Sequence, residues 1–194
     1  MRSEWVEPDV LELLLTAMTP RTRLAMRMAL SSGLRIGDIV QLRTADMKQR
    51  MTIKEDKTGK SRRVYWPTDL YKQMMEQAGE VWLLPSRVHG KHISRTTVYK
   101  ELRRVTELYR LDGRRISAHI SPHTARKCWA VSRYHQTGDL NLVQAEMGHS
   151  SPAVTMLYAM ADKLSGGGKR KPQQRTVLTA DNSSSRGGGK VGSL

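Results

Sequence analysis

The sequence predicts a mainly helical protein with a small antiparallel β-sheet. Two observations support this: helical periodicity fills most of the first 164 residues, and one region alone changes to alternating β-branched or aromatic residues. That region covers residues 51–66, where MTIKE and RRVYW flank DKTGKS. Two short alternating runs joined by a glycine-containing connection are typical of a β-hairpin.

Three helices are predicted before the hairpin. The first covers residues 8–18, with Pro8 near its start, because proline is favoured in the first helical turn. The second runs from about Pro20 to Ser32, carries an apolar stripe and stops at Gly33. The segment IGDIVQL then begins a third, short helix.

Five helices are predicted after the hairpin, most of them bounded by capping residues. Ser94 and Ser121 are candidate N-caps, and proline follows Ser121 at the first helical position. Gly138 and Gly148 are placed to end two of these helices. The five helices cover about residues 68–78, 94–111, 122–136 and 140–147, with the last starting at Pro152 and carrying Tyr158.

The domain is predicted to cover residues 1–164, and a basic tail follows over residues 165–194. The tail is rich in glycine and serine and carries a net charge of +5. Such a composition cannot form its own core, so flexibility is expected. The tail segment RTVLTA is an exception, because it has the pattern to pair as one strand on a sheet edge.

Charge points to a polyanionic partner. The formal net charge is +15 over 194 residues, which most simply indicates binding to nucleic acid, although composition alone leaves a generally basic, ribosomal-type protein open. The single cysteine, Cys128, rules out an internal disulfide. There is no signal-peptide pattern and no apolar run of about 20 residues, so a soluble, cytoplasmic protein with no membrane partner is expected.

Two candidate functional residues lie in the first third of the chain. Arg35 sits in GLRIGD, with Asp38 three residues later on the same helix face, where it is expected to orient the guanidinium. The planar fork of arginine suits bidentate binding of phosphate. Lys57 occupies the predicted hairpin tip, in reach of a DNA groove, and Lys60 competes for the same role.

Four further candidates lie between residues 123 and 158. His123 and Arg126 are three residues apart on one helix and therefore face the same way. His149 follows Gly148, and Tyr158 lies nine residues beyond it. Taken singly, each candidate has an ordinary alternative: a surface ion pair, a turn lysine, a helix cap or a core tyrosine.

Together these residues fit phosphodiester chemistry without a metal. A cluster of cations neutralises an anionic transition state, and a tyrosine supplies the nucleophile. A metal site is an alternative, because His89 and His92 are three residues apart and His119 and His123 are four apart. One cysteine and no carboxylate at ligand spacing disfavour it, so no metal or other cofactor is expected.

The ordered set resembles the catalytic residues of the tyrosine recombinase, or phage integrase, family. The resemblance covers about residues 8–162 and implies the integrase catalytic fold, mostly α with a three-stranded sheet. It rests on GLRIGD, DKTGK, PHTARK and MGHSSPAVTMLY, which contain Arg35, Lys57, His123, Arg126, His149 and Tyr158.

The resemblance also implies a role for each residue. The two arginines and His123 bind the scissile phosphate, and His149 donates a hydrogen bond to the same group. Tyr158 attacks phosphorus to give a 3′-phosphotyrosyl link, while Lys57 is the general acid for the departing 5′-hydroxyl. The implied partner is double-stranded DNA, bound by a homotetramer on paired sites, with no small-molecule substrate.

The chain departs from the family pattern in three places. Lys127 stands where a second histidine often follows the arginine. About seven residues precede the first helix, so either a catalytic fragment or a minimal form is expected. The segment between Leu42 and Thr52 is short, which predicts a first strand of two or three residues. RTVLTA is the candidate for docking on a neighbouring protomer.

Two other functions share part of this pattern. Type IB topoisomerases use a similar residue set to relax DNA without exchanging partners. A degenerate recombinase acting as a non-catalytic DNA-binding regulator is the second alternative. The compact GHSSPAVTMLY segment favours an integrase over the first, and the intact set of residues disfavours the second.

Overall fold

The computed structural model describes residue 6 and residues 8–116, 119–147 and 177–180. Helices dominate these residues, and the strands form two small antiparallel sheets, which confirms the predicted fold class. The helices are α1 (Pro8–Thr16), α2 (Pro20–Ser32), α3 (Ile36–Val40), α4 (Thr68–Gln77), α5 (Arg95–Leu108), α6 (Pro122–Thr137) and α7 (Leu140–Met147). The strands are β1 (Arg50–Lys54), β2 (Ser61–Tyr65), β3 (Tyr109–Leu111), β4 (Arg114–Arg115) and β5 (Leu178–Ala180).

Helix α2 is the centre of the core. It packs against α6 along one side and also contacts α1, α3, α4 and α5. Small Ala25 and Ala29 are fully buried on α2, which lets neighbouring helices approach closely. Larger side chains of α2, such as Leu24 and Met28, fill the space between the helices. This packing fixes the position of the α2 carboxyl end, where the site begins.

Gly33 ends α2 in the left-handed conformation, with φ of 67°. A side chain is excluded there for a second reason, since a Cβ atom would lie 2.4 Å from ring atoms of Trp129 on α6. The glycine therefore allows the chain to turn sharply while α6 passes close by. Arg35 follows two residues later as the N-cap of α3.

Strands β1 and β2 form the predicted hairpin, paired from Arg50↔Tyr65 to Lys54↔Ser61. Ile53 and Val64 are buried on its inner face. The short first strand predicted between Leu42 and Thr52 is not found there, since that segment holds a 3-10 helix (Thr44–Asp46) and the start of β1. The hairpin forms a sheet of two strands, and the three-stranded sheet of the described residues is instead formed by β4, β3 and β5, in that order.

A second hairpin was not predicted. Helix α5 ends at Leu108, three residues before the predicted end, and β3 and β4 follow. Asp112 and Gly113 connect them with positive φ angles of 50° and 74°, the conformation of tight two-residue hairpin turns. Strand β5 pairs with β3 of the same chain, as expected for RTVLTA at a sheet edge. Its docking on a neighbouring protomer stays a prediction.

Helices α6 and α7 carry the second half of the site. Ser121 caps α6 through a reciprocal pair of hydrogen bonds with Thr124, and Gly138 ends the helix with φ of 65°. The predicted helices that contain these residues are confirmed within a residue. His149, the helix predicted to carry Tyr158, and all of the tail except residues 177–180 lie outside the described residues. Among the described helices, none has the length and apolar character needed to cross a membrane.

Candidate phosphate-binding site

Two arginines from distant parts of the sequence meet at one carboxylate. Arg35 enters from the start of α3, and Arg126 enters from the second turn of α6. An Nη1–H of Arg35 donates to Oε2 of Glu55, and Nη1 of Arg126 lies 3.7 Å from Oε1 of the same side chain. The packing of α2 against both elements therefore brings together the two arginines that the sequence singled out.

Arg126 is built into the core. It is 4% exposed, and its guanidinium donates to the carbonyl oxygens of Gly33 and Met147. Burial and the nearby positive charge of Arg35 lower the pKa of Arg126 to about 10, although the charge of Glu55 acts in the opposite direction. The group stays protonated at neutral pH, so it is a cation held in one orientation.

Arg35 is less enclosed, with a side chain 20% exposed. Asp38 was expected to orient it, and this prediction is wrong, because the hydrogen-bonded carboxylate is Glu55. Oδ1 of Asp38 instead accepts from the backbone N–H of Asp56, at 3.0 Å. Burial raises the pKa of Asp38, and the hydrogen bond from Asp56 partly offsets that effect. Asp38 thus holds the hairpin turn rather than the guanidinium.

The turn of the first hairpin, residues 55–60, adjoins this site through Glu55, its first residue. Its ends are closed by hydrogen bonds from the Glu55 N–H to the Lys60 carbonyl (2.9 Å) and from the Gly59 N–H to the Glu55 carbonyl (2.8 Å). Lys57 and Lys60 are both exposed. Lys57 is one of the charges that act on His123, and Lys60 lines a groove together with Glu55 and Arg62. Both lysines of the turn therefore lie near the site, and Lys60 stays the competitor for the role proposed for Lys57.

His123 lies at the start of α6, on the same side as Arg126. Its backbone N–H donates to Oγ of Ser121, at 3.3 Å, while the side chain reaches the surface. Partial desolvation of the ring is the largest cause of a lowered pKa for His123, followed by the charges of Arg126 and Arg35. A lowered pKa leaves the imidazole neutral at neutral pH, which allows it to accept a proton.

Glu55 is the residue that the sequence reasoning missed. Its side chain is 3% exposed and is held by Arg35 and by Thr58, whose hydroxyl donates to Oε2 at 2.9 Å. Burial alone would raise the pKa of Glu55, but hydrogen bonds from Thr58 and Arg35 and the charges of both arginines outweigh it and lower the pKa. A signal was present, because the alternation that buries Ile53 predicts Glu55 on the same inward face.

The described part of the site depends on cations and hydrogen bonds. Within residues 8–116 and 119–147, no group of three or more histidine, cysteine or acidic side chains is arranged to hold a metal ion. What the structure brings together is Arg35 and Arg126 at the carboxylate of Glu55, with His123 near enough for the charges of both arginines and of Lys57 to act on it. Such a cluster can bind one anionic group with several oxygen atoms.

Comparison with solved structures identifies the class of fold. The chain matches a lambda integrase dimer bound to a COC′ core site with a TM-score of 0.68 and 18% identity, over 90% of this chain and 52% of that one. It matches the XerH site-specific recombinase bound to palindromic difH substrate with a TM-score of 0.63 and 22% identity, over 83% and 50%. The fold is that of the tyrosine recombinases.

Sequence comparison identifies the family. Residues 4–164 match the phage integrase family. The probable integrase/recombinase YoeC of Bacillus subtilis (strain 168) is 31% identical over 140 residues, which cover 69% of this chain and 74% of YoeC. Tyrosine recombinase XerD of Staphylococcus epidermidis is 28% identical over 184 residues, covering 80% of this chain and 59% of XerD. The chain belongs to the phage integrase family, and it spans only part of the length of these relatives.

Proposed function

We propose that this chain is the catalytic part of a site-specific DNA recombinase, which cleaves and rejoins strands through a 3′-phosphotyrosyl intermediate. The observation that carries the proposal is the convergence of Arg35 and Arg126 on one anionic position beside the Lys57 turn. Relatives named as tyrosine recombinases support the same activity. Solved neighbours bound to DNA support double-stranded DNA as the partner.

The two arginines would bind the non-bridging oxygens of the scissile phosphate. Because Arg126 is buried and fixed by backbone carbonyls, its charge is oriented before the substrate arrives. A preorganised cation in a water-poor site stabilises developing negative charge more strongly than a solvated one. Arg35, which is partly exposed, would complete the pair from the solvent side.

The remaining residues would transfer protons, stabilise the phosphate and form the covalent link to DNA. The hydroxyl oxygen of Tyr158 attacks phosphorus as its proton passes to the neutral imidazole of His123, and the bond from phosphorus to the 5′-oxygen breaks. Lys57 gives a proton to that departing oxygen, while His123 and His149 stabilise the phosphate. The 5′-hydroxyl of a partner strand then attacks the phosphotyrosyl link and releases Tyr158. Because the phosphoester bond is exchanged, the reaction needs neither ATP nor a metal.

Two features of assembly belong to the same proposal. A net charge of +15 favours binding to the DNA backbone, with log affinity falling against log salt by about 0.9 per phosphate neutralised. Exchange between two duplexes requires several active sites at once, so a homotetramer on paired DNA sites is proposed. Chemical crosslinking in the presence and absence of DNA would test the tetramer.

Trapping of a covalent complex tests the central step. The protein is incubated with a plasmid that carries the DNA flanking its own gene, then quenched with SDS and analysed for protease-sensitive adducts. Wild type should form adducts, and Tyr158→Phe should form none while its DNA affinity stays nearly unchanged, since one hydroxyl is lost. Tyr99→Phe removes a hydroxyl from a surface tyrosine that is 39% exposed and serves as the matched control.

Either of two results would contradict the proposal. Adducts that persist in Tyr158→Phe would assign the nucleophile to another residue. No adducts in wild type, with DNA binding intact, would favour the non-catalytic regulator. Products that join two separate DNA molecules would identify recombination rather than relaxation.

A further inference from the structure

We infer that Glu55 is an internal counter-anion, which occupies the position of the scissile phosphate between Arg35 and Arg126 until DNA displaces it. The inference rests on the proposed function for the identity of the natural anion. It assigns a role to the side chain of Glu55, which has no part in the proposed reaction. It predicts that the site is closed in the free protein and opens as a phosphate enters.

The position of the carboxylate is the first observation. Oε2 accepts hydrogen bonds from Arg35 and Thr58, and Oε1 lies 3.7 Å from Nη1 of Arg126. A planar anion with two oxygens thus bridges two guanidinium groups, as phosphate oxygens do. Burial of Glu55, with a side chain 3% exposed, leaves little room for a second anion between the same arginines.

The incomplete bonding of the carboxylate is the second observation. Oε1 of Glu55 is buried and has no hydrogen-bond partner among the described residues. A buried ionised oxygen without such a partner is costly, and a permanent structural ion pair normally satisfies it. A phosphate has more oxygens to offer and could satisfy both arginines, so exchange of one anion for the other is favourable.

The attachment of Glu55 to the chain is the third observation. Its backbone N–H and carbonyl close the turn through Lys60 and Gly59, and neither hydrogen bond involves the side chain. The carboxylate can therefore leave the arginines without opening the turn. Lys57 lies two residues away in that turn, so displacement of Glu55 changes the surroundings of the proposed general acid at the moment the phosphate arrives.

Repulsion between the arginines explains why a counter-anion is needed. Arg35 and Arg126 lie against the same carboxylate, so their positive charges are close enough to repel each other, and the charge of Arg35 accordingly lowers the pKa of Arg126. Without an anion between them, two guanidinium groups at a buried site destabilise the fold. Glu55 thus stabilises the free protein, but at the expense of its affinity for phosphate.

Thermal unfolding in phosphate tests the inference without DNA or catalysis. The variant Glu55→Gln keeps the shape of the side chain and removes its charge. The control Asp56→Asn removes the same charge from an exposed neighbour in the same turn. The melting temperature of each protein is measured in sodium chloride and in sodium phosphate at equal ionic strength.

The expected result is a change specific to Glu55. In chloride, Glu55→Gln should melt below wild type, because the arginines lose their anion. Phosphate should then raise its melting temperature by roughly 3 °C or more when present about tenfold above its Kd. Wild type and Asp56→Asn should shift much less. Equal shifts in all three proteins would overturn the inference and leave Glu55 with a structural role alone.

Binding to a short duplex of arbitrary sequence gives a second readout. If the Glu55-bound form makes up about nine-tenths of free molecules, removing the carboxylate should tighten binding about tenfold. Asp56→Asn should tighten it by roughly twofold or less, through general charge alone. Matching changes in the two variants would contradict the inference.

A third variant covers the case in which Glu55→Gln does not fold. Thr58→Val removes the hydroxyl that holds Oε2 and leaves every charge in place, so it should shift both readouts in the same direction by a smaller amount. No shift would count against the inference. None of these measurements involves Tyr158 or a covalent adduct. Failure of the recombinase proposal would therefore appear in adduct trapping, and failure of this inference would appear in anion binding.

Discussion

The two halves of the candidate site are anchored in different ways. Arg126 is buried in α6 and hydrogen-bonded to two backbone carbonyls, whereas Lys57 is exposed in the turn of the β1–β2 hairpin. The cation proposed to bind phosphate is thus part of the core, and the proposed proton donor is on a surface element. The difference predicts that substitution of the buried Arg126 alters stability and activity together, while substitution of the exposed Lys57 alters activity alone.

Replacement of Arg126 should have the largest effect. Arg126→Ala leaves Glu55 buried beside one remaining arginine and leaves the carbonyls of Gly33 and Met147 without their donor. Removing one partner of a buried pair costs about 3–5 kcal/mol, so urea unfolding should show a loss of that size, and adduct formation should disappear. Arg126→Lys keeps the charge but not the fork, and it should recover only part of the loss.

A small stability change in Arg126→Ala would contradict this contrast between the two halves. If its free energy of unfolding fell by less than about 1 kcal/mol, in the range of an exposed ion pair, Arg126 would not be part of the core in solution. Arg126 and Lys57 would then differ in their chemical roles but not in how they are anchored.

Replacement of Lys57 should separate activity from stability. Lys57→Ala removes an exposed side chain from a turn, so its free energy of unfolding should stay within about 0.5 kcal/mol of wild type. Loss of a general acid should lower the rate of adduct formation by about 10²- to 10⁴-fold. Lys60→Ala, in the same turn, is the matched control and should retain nearly full activity. A larger loss in Lys60→Ala would reassign the proton donor to Lys60.

Replacement of Gly33 tests how strongly the core positions the arginines. Gly33→Ala combines a left-handed φ with a collision 2.4 Å from the Trp129 ring, which should destabilise the protein by about 2–4 kcal/mol. Gly37→Ala is the control, since Gly37 lies in α3 with no atom within 4 Å of an added Cβ. It should be neutral or stabilising, by up to about 1 kcal/mol. Similar losses in both variants would remove the special role of Gly33.

The sequence predicted elements where local signals agree with the fold. Proline starts and glycine stops located α2 and α6 to within a few residues, because these residues restrict the backbone wherever they occur. Alternation on both sides of a glycine-containing turn located the first hairpin. The predicted end of α5 was wrong, since the helical pattern of the sequence continues into β3. The turn at Asp112 and Gly113 that separates β3 from β4 carries the only local signal for a hairpin there.

The site was predictable only in part, for a physical reason. Motif order paired Arg35 with Arg126, and the structure brings them together. Which carboxylate contacts Arg35 depends on how the hairpin turn packs against α3, and helical spacing selected Asp38 instead of Glu55. Contacts between elements depend on tertiary packing that no local pattern encodes, although alternation along β1 did mark Glu55 as inward-facing.

The smallest predicted effect concerns His123 and the pH dependence of stability. Its pKa is lowered in the folded protein by desolvation and by the charges of Arg126 and Arg35, so the unfolded chain takes up a proton first as the pH falls. Stability is therefore fully present above the unfolded value of about 6.5 and is lost as the pH falls through the lower folded pKa. His123→Gln should lack this decline in urea unfolding followed from pH 7.5 downward.

The control is His89→Gln, which removes an exposed histidine from a loop and should keep the wild-type pH profile. An identical profile in wild type and His123→Gln would show that the cations of the site do not act on His123 in solution. Addition of phosphate to Glu55→Gln, in which the position between the arginines is open, sharpens the test. An anion bound between Arg35 and Arg126 offsets their charge, so the pKa of His123 should rise and the decline should weaken. The titration of His123 would then report whether an anion occupies the position between the two arginines.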